Sequence, residues 1–219
     1  MTDERLWSRL KPYLEEYELI HLPLPLTDDF DKAIEEIDKK IEDENIYLLG
    51  FSLGAYVASY YTIKYPNKVK KLFLVAGTPS AMNEDEIVKR RMTLNQMNKF
   101  DFKGLSYKKA QSLLEKSNQN DEGLIHLVQD MFLNLGAEVY NIQMESTLVR
   151  KNIYNELIKS NIPTKFYYST EDRLLTHKSL ENFKEEHKNI SLSSRTGTSH
   201  MIPLEFPSSL SCKIKEWFI

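Results

Sequence analysis

The chain of 219 residues is long enough for one domain, or for one domain with an insertion. Its 29 basic and 32 acidic residues give a formal net charge of −3, which excludes the strongly basic surface expected of a protein that binds nucleic acid or an anionic membrane. With 41% hydrophobic and 28% charged residues, the composition is that of a globular protein and argues against disorder.

The N-terminus and the cysteine content bear on the cellular compartment. The first residues, MTDERLWSRL, include two early acidic side chains and no apolar core, which argues against a signal peptide. No apolar stretch approaches the length of a membrane-spanning helix. The single cysteine, Cys212, excludes an intrachain disulfide, and we expect a buried, inert thiol there. These features predict a cytoplasmic protein without a membrane partner.

The first third of the chain alternates helical and strand patterns. Apolar spacing and turn residues predict, in chain order, a helix over 6–17, a short strand over 19–22, a helix over 30–42 capped by residues 27–29, a buried strand over 46–49, a helix over 55–65 and a buried strand over 72–76. The two buried strands are continuous apolar runs, as is typical of a parallel sheet covered on both faces.

The middle of the chain, about 79–160, has a different character. It contains helical stretches with polar breaks and no further buried strand. The alternation then resumes with a strand over 166–168, a helix over 178–186, a strand over 190–193 and a helix over 207–218. We therefore predict a single α/β domain spanning 1–219, with a mostly parallel sheet and a helical cap inserted at about 79–160.

One motif in this framework carries chemistry. Gly50-Phe51-Ser52-Leu53-Gly54 is G-x-S-x-G between a buried strand and a helix, the context that a nucleophile elbow requires. Only seven glycines occur in the chain, and we expect Gly50 and Gly54 because larger side chains two positions before and after the serine would collide. The turn would present Ser52 at a helix N-terminus, where N–H groups favour negative charge. The alternative is a tight turn with an idle serine.

A serine nucleophile needs a base and an acid, which in this architecture follow in the order serine, acid, histidine. The loop after the strand over 166–168 offers Asp172, favoured because Asp-Arg-Leu-Leu leads into the next helix, with Glu171 as the alternative. His200 follows the last strand and a loop containing Gly197, which permits a close approach. The remaining histidines fit this order or position poorly; they are His21, His126, His177 and His187.

The predicted mechanism is acyl transfer to serine. His200 removes the proton of Ser52, which attacks an ester or thioester carbonyl, while Asp172 orients the imidazole. Water then hydrolyses the acyl-enzyme. The N–H of Leu53 would be one oxyanion donor. We expect no cofactor and no metal, because the histidine spacing and the single cysteine match no metal site.

Several segments resemble one known family. Residues 50–58, 65–75, 172–175 and 197–207 are similar to the elbow, the following strand, the acid loop and the histidine loop of the α/β-hydrolase superfamily, in particular its small bacterial esterase-like members. The resemblance implies that fold, a Ser52–His200–Asp172 triad and a small-molecule acyl substrate. It leaves the substrate and the oligomeric state open, since this fold hosts many activities.

The chain also departs from the family pattern. Members begin with strands that carry a His-Gly or Pro-Gly oxyanion motif before the first helix. Here the segment that follows this motif begins within a few residues of Met1, so we expect the N-terminal strands to be missing and the second oxyanion donor to be Met1 or a residue upstream of it. An alternative function follows, namely a non-catalytic binding protein with an incomplete oxyanion hole.

The predicted cap is rich in methionine and aromatic residues. These side chains have two interpretations, a lining for an acyl pocket or ordinary core of the cap helices. The residues concerned are Met92, Met97, Met131, Phe132, Tyr140 and Met144.

Overall fold

A computed structural model describes residues 1–97, 102–183 and 187–219. Four parallel strands form one sheet in the order β1-β2-β3-β4, with Gly50 paired to Leu74 and Leu74 to Phe166. The strands are β1 (Ile46–Phe51), β2 (Val69–Val75), β3 (Thr164–Ser169) and β4 (Ile190–Arg195). The predicted α/β class and the parallel sheet are confirmed.

Helices cover both faces of this sheet. They are α1 (Phe30–Asp38), α2 (Leu53–Lys64), α3 (Glu84–Met97), α4 (Tyr107–Gln111), α5 (Glu122–Leu148), α6 (Tyr154–Lys159), α7 (His177–Leu180), α8 (Ile202–Glu205) and α9 (Pro207–Phe218). Alternate residues of β2 serve the two faces, because strand side chains point to opposite sides. Phe73 packs in a cluster with α9, whereas Leu72 packs in a cluster with α2 and α6.

The region between β2 and β3 is helical. Among the described residues there it contains α3 to α6, a short 3₁₀ turn at Lys116–Asn118 and no strand. Helix α5 is kinked at Gly136, which has φ 80°. Buried α5 residues, including Met131, share a core cluster with the N-terminal segment and α9. We refer to residues 79–163 as the helical insertion.

The first 45 residues depart most from the prediction. The helix expected over 6–17 is instead two 3₁₀ turns, Glu4–Trp7 and Lys11–Tyr13, the second containing Pro12, which lacks the N–H of a continuing helix. The strand expected over 19–22 is absent, and Ile20 is 66% exposed. Prolines at positions 23 and 25 cannot donate to a ladder.

Other element ends and burial expectations also change. Helix α1 begins after the Asp29 cap as predicted but ends at Asp38 rather than at 42. The helix expected over 178–186 is α7 followed by a 3₁₀ turn at Glu181–Phe183, while 184–186 lie outside the described residues. Cys212 is exposed, so the prediction of a buried thiol is wrong.

Two further observations concern the edges of the fold. Within the described ranges, no strand precedes Ile46, and β1 pairs only with β2. As an edge strand, β1 is half-buried at Ile46, Leu48 and Leu49 and exposed at Tyr47, so the prediction of a strand covered on both faces is wrong for β1. No helix in the described part of the chain is both long enough and apolar enough to cross a membrane.

Candidate active site

Ser52 lies at a sharp turn between β1 and α2. Its backbone has φ 52° and ψ −116°, a conformation that costs energy for any residue other than glycine. The surrounding backbone fixes it, because the Ser52 N–H donates to the carbonyl of Val75 at 2.9 Å and the Ala55 N–H donates to the carbonyl of Ser52 at 3.0 Å. The serine is thus held in a strained position at the N-terminus of α2.

The glycines around the turn differ in how much space a side chain would have there. A Cβ at Gly50 would lie 2.6 Å from the carbonyl oxygen of Gly54 and 2.7 Å from the Cα of Ala55. A Cβ at Gly54 would meet nothing within 4 Å, so the predicted collision exists at Gly50 and is wrong for Gly54. Crowding recurs at Gly77, where a Cβ would lie 2.5 Å from the carbonyl oxygen of Ser52.

His200 lies between Ser52 and Asp172. Its Nε2 is 3.1 Å from Oγ of Ser52, and its Nδ1 is 2.7 Å from Oδ2 of Asp172. Asp172 is 1% exposed and His200 is 5% exposed, so the hydrogen bond between them is shielded from water, whereas the bond from His200 to Ser52 is partly buried. The Phe51 ring, 5.1 Å from the imidazole between centroids, packs beside it. Ser52, His200 and Asp172 are therefore connected in series by two hydrogen bonds.

The two candidate acids have different surroundings. Oδ1 of Asp172 accepts from the N–H of Leu174 at 2.9 Å, and the backbone carbonyl of Asp172 lies 2.8 Å from Nε2 of His177. The Glu171 carboxylate instead forms an ion pair with Lys116 at 3.2 Å, with the Glu171 side chain 52% exposed. Asp172 is thus the acid that faces His200. Its contacts with the N–H of Leu174 and the ring of His177 hold it in place, and the sequence predicted neither contact.

The histidine loop is held by the helical insertion as well as by the sheet. The His200 N–H donates to the carbonyl of Leu113 at 2.8 Å. Ser169, at the end of β3, donates from its hydroxyl to the carbonyl of Ser199 at 2.6 Å. No local signal in the sequence indicates these partners, because they lie 87 and 30 positions away along the chain.

A cavity of about 1070 Å³ opens beside the serine. It runs along β1 and is lined by Ser52 and Leu53, by the N-terminal segment from Met1 to Leu24, and by one face of α5. The α5 residues that line it are Leu135, Val139 and Gln143. Of the predicted pocket residues, Met131 and Phe132 are buried in the core, Met92 is 58% exposed, and the side chain of Met97 lies outside the described residues.

Leu53 lies at the first position of α2, where backbone N–H groups have no acceptor within the helix. It is adjacent to the nucleophile position and lines the same cavity. In the described ranges, no three histidine, cysteine or acidic residues are grouped so that they could hold a metal ion.

Comparisons with known proteins extend this description. A family model described as alpha/beta hydrolase fold matches residues 15–207. A sequence search among curated proteins found no significant match.

Solved structures resemble the chain closely in fold and weakly in sequence. A thermophilic esterase from Thermogutta terrifontis has a TM-score of 0.81 at 16% identity, covering 99% of this chain and 85% of the esterase. A structure reported for carboxylesterases of Nitrososphaera gargenis has a TM-score of 0.78 at 16% identity, covering 99% of this chain and 86% of the solved one. A bromoperoxidase from Bacillus anthracis has a TM-score of 0.77 at 14% identity, covering 99% of this chain and 88% of the bromoperoxidase. At such identities the likeness shows the fold alone, and the family model over most of the chain shows that it belongs to the α/β-hydrolase fold family.

Proposed function

We propose that this protein is a serine hydrolase that cleaves a small or medium acyl ester or thioester through a covalent acyl-enzyme on Ser52. The observation that supports the proposal is the hydrogen-bonded chain from Ser52 through His200 to a buried Asp172, with distances of 3.1 and 2.7 Å. A nucleophile, a base within reach and an acid that orients the base are the arrangement that activates a hydroxyl.

In the first step of this mechanism, Nε2 of His200 takes the Ser52 proton as Oγ attacks the carbonyl carbon. Asp172 stabilises the imidazolium and fixes the tautomer with the proton on Nδ1. The imidazolium then protonates the leaving alcohol or thiol, and the carbon–oxygen or carbon–sulfur bond breaks. Water attacks the acyl-enzyme with His200 again as base, releasing the carboxylic acid and restoring Ser52.

The negative charge that develops on the carbonyl oxygen needs hydrogen-bond donors. We assign one to the N–H of Leu53, which is free of a helical acceptor and next to the nucleophile. Removal of one such donor typically costs about 3–4 kcal/mol of barrier. For the second donor we propose Met1, which lines the same cavity as Ser52.

The cavity supports an acyl substrate of modest size. Its volume of about 1070 Å³ is at the upper end of small-molecule sites, and aliphatic residues of α5 form one wall. We propose that the helical insertion acts as the cap of a single domain and that Leu135 and Val139 contact the acyl chain. We also propose a cytoplasmic setting, which the single unpaired Cys212 favours.

Covalent labelling tests this proposal directly. A fluorophosphonate probe should modify the wild-type chain at Ser52, located by peptide mass spectrometry, and Ser52→Ala should lower p-nitrophenyl ester turnover by at least about 10⁴-fold. The matched control is Ser59→Ala, since Ser59 lies in α2, the helix that begins directly after Ser52, and its buried hydroxyl donates to the carbonyl of Ala55. A folded wild-type chain that neither reacts with the probe nor turns over any ester or thioester would instead support the binding-protein alternative.

A further inference from the structure

A short part of the helical insertion, residues 113–118, lies against the loop that carries His200; we name it the clamp segment. The carbonyl of Leu113 accepts from the His200 N–H at 2.8 Å, and the carbonyl of Leu114 accepts from the Thr198 hydroxyl at 3.2 Å. The Leu114 side chain is fully buried. The loop before His200 therefore bonds to the insertion at two backbone positions.

Glu115 lies at the centre of this contact. Its carboxylate accepts from Nη1 of Arg195 at 2.7 Å and from the N–H of Thr198 at 3.1 and 3.2 Å, and the two ionic side chains are only 13% and 16% exposed. Burial raises the pKa of Glu115, but hydrogen bonds from Arg195, Thr198 and the N–H of Lys116 outweigh it and lower that pKa to about 2. The carboxylate is therefore charged throughout the neutral range.

Gly197 shows how closely this carboxylate is packed. Its φ of 125° is a conformation that side chains with a Cβ rarely adopt, and a Cβ there would overlap Oε2 of Glu115. The sequence predicted that Gly197 permits a close approach to the active site, but the close neighbour of Gly197 is the carboxylate of Glu115. That carboxylate belongs to a side chain that is only 13% exposed.

A second carboxylate fixes the other end of the clamp segment. Glu205 accepts from the N–H of Glu115 at 2.8 Å, from Nδ2 of Asn118 at 2.9 Å and from the hydroxyl of Ser199. Burial raises the pKa of Glu205, against these hydrogen bonds. The residues on both sides of His200 are therefore tied to the clamp segment by polar contacts.

We propose that Glu115 is a positioning residue that holds the loop of residues 195–200 where Nε2 of His200 faces Oγ of Ser52. Glu115 bonds to Arg195 and Thr198 and acts on the reaction only through them. Arg195 in turn donates to the hydroxyl of Ser169, which donates to the carbonyl of Ser199, so the ion pair also connects to the residue next to the base. This inference deepens the proposed function, and its kinetic consequence rests on that function.

The test compares Glu115→Ala and the near-isosteric Glu115→Gln with a matched control one residue away. Lys116→Gln removes the ion pair between the clamp segment and Glu171, whose side chains are 72% and 52% exposed, and an exposed pair of this kind contributes little. In Glu115→Ala we expect kcat per active site to fall about 10- to 100-fold with KM within about threefold, because a misplacement near 1 Å costs about that much. The control should match the wild type.

Two readouts separate positioning from a loss of folded protein. End-point titration with a fluorophosphonate counts competent sites, so a purely structural role would lower the titrated fraction and leave kcat per site unchanged. The second is the downfield proton NMR resonance of the His200 Nδ1–H that is hydrogen-bonded to Asp172. We expect it in the wild type and in Lys116→Gln, and we expect it to be broadened or lost in Glu115→Ala.

Each result supports or overturns the inference. If Glu115→Ala does not fold, Glu115→Gln takes its place in the test, with an expected kcat loss of about three- to tenfold. The double variant Glu115→Gln with Arg195→Gln should be no slower than the slower of the two single variants, because the two side chains act as a pair. Unchanged kcat and an unchanged resonance in a folded Glu115 variant would overturn the inference while leaving the proposed function intact. If the wild type lacks hydrolase activity, the proposed function fails, and the resonance alone decides the role of Glu115.

Discussion

The two halves of the candidate site are built by different means. The half that carries Ser52 is one contiguous stretch, residues 50–54, held by a strained backbone and by the lack of space around Gly50. The half that carries the acid and the base is assembled from the ends of β3 and β4 and from the clamp segment, which meet through ion pairs and hydrogen bonds. The serine is thus placed by its local turn and close packing together with a backbone hydrogen bond to Val75, whereas His200 is placed mainly by polar contacts with distant segments.

This difference has a physical consequence. Steric exclusion within a few residues responds to the size of a side chain and hardly to pH or salt. Hydrogen bonds and ion pairs between distant segments respond to the removal of either partner, and more strongly when they are buried. Substitutions of the glycines that support Ser52 should therefore change stability, whereas those in the base half should change the rate.

The largest effect is expected at His200. Replacement by Gln fills the same region but removes the imidazole, whose Nε2 lies 3.1 Å from Oγ of Ser52 and would take its proton, so kcat/KM should fall by about 10⁴-fold or more. Steady-state ester hydrolysis measures the loss, and a circular dichroism melt shows whether the fold is kept. A folded variant within tenfold of the wild type would assign the base elsewhere.

Next in size is the acid. Asp172→Asn keeps the shape but loses the charge that stabilises the imidazolium and selects its tautomer, and kcat should fall by about 10³- to 10⁴-fold. Glu171→Gln is the control, because that side chain is half exposed and pairs with Lys116 instead. The two variants are compared by single-turnover kinetics, and a greater loss in Glu171→Gln than in Asp172→Asn would reverse the assignment of the acid.

A smaller effect distinguishes the two glycines of the motif. Gly50→Ala would place a Cβ 2.6 Å from the Gly54 carbonyl oxygen, so the free energy of unfolding should fall by about 2–3 kcal/mol. Gly54→Ala has open space and lies in the first turn of α2, so we expect a change within about 1 kcal/mol. Urea unfolding measures both, and equal losses would restore the symmetrical role that the sequence suggested.

The sequence predicted those parts of the structure that depend on neighbours along the chain. The continuous apolar runs in β1 and β2 indicated parallel strands, of which β2 is buried and β1 is a half-buried edge strand. The order of Ser52, Asp172 and His200 indicated which residues to bring together. Each of these signals is local, or follows from the rule that parallel strands end at one edge of the sheet.

What the sequence did not predict depends on contacts made at a distance. Residues 19–22 have a strand-like composition, but they form no strand, Ile20 is exposed, and the prolines at positions 23 and 25 lack the N–H that a strand ladder needs. Leu6, Leu10 and Leu14 are buried at helical spacing, but Pro12 limits the backbone to short turns, so the apolar spacing alone predicted a helix that does not form. The partnership of Glu115 with Arg195 spans 80 positions and leaves no periodic or motif signal.

The smallest expected effect concerns a charged contact beside α2, the helix that follows Ser52. Asp38, at the end of α1, accepts from Nζ of Lys68 at 2.6 Å and from the buried Tyr61 hydroxyl of α2 at 2.8 Å, and the bond from Lys68 is the main cause that lowers the pKa of Asp38. Because the folded pKa lies below the unfolded one, this stabilisation is complete above about pH 4 and is lost as the pH falls through the folded pKa. Asp38→Asn should therefore lower the free energy of unfolding by about 1 kcal/mol at pH 7 and by less at pH 3, with the exposed Asp43→Asn as a neutral control. Urea titrations at both pH values measure the difference. A loss of the same size at pH 3 would show that Asp38 acts through packing and not through its charge.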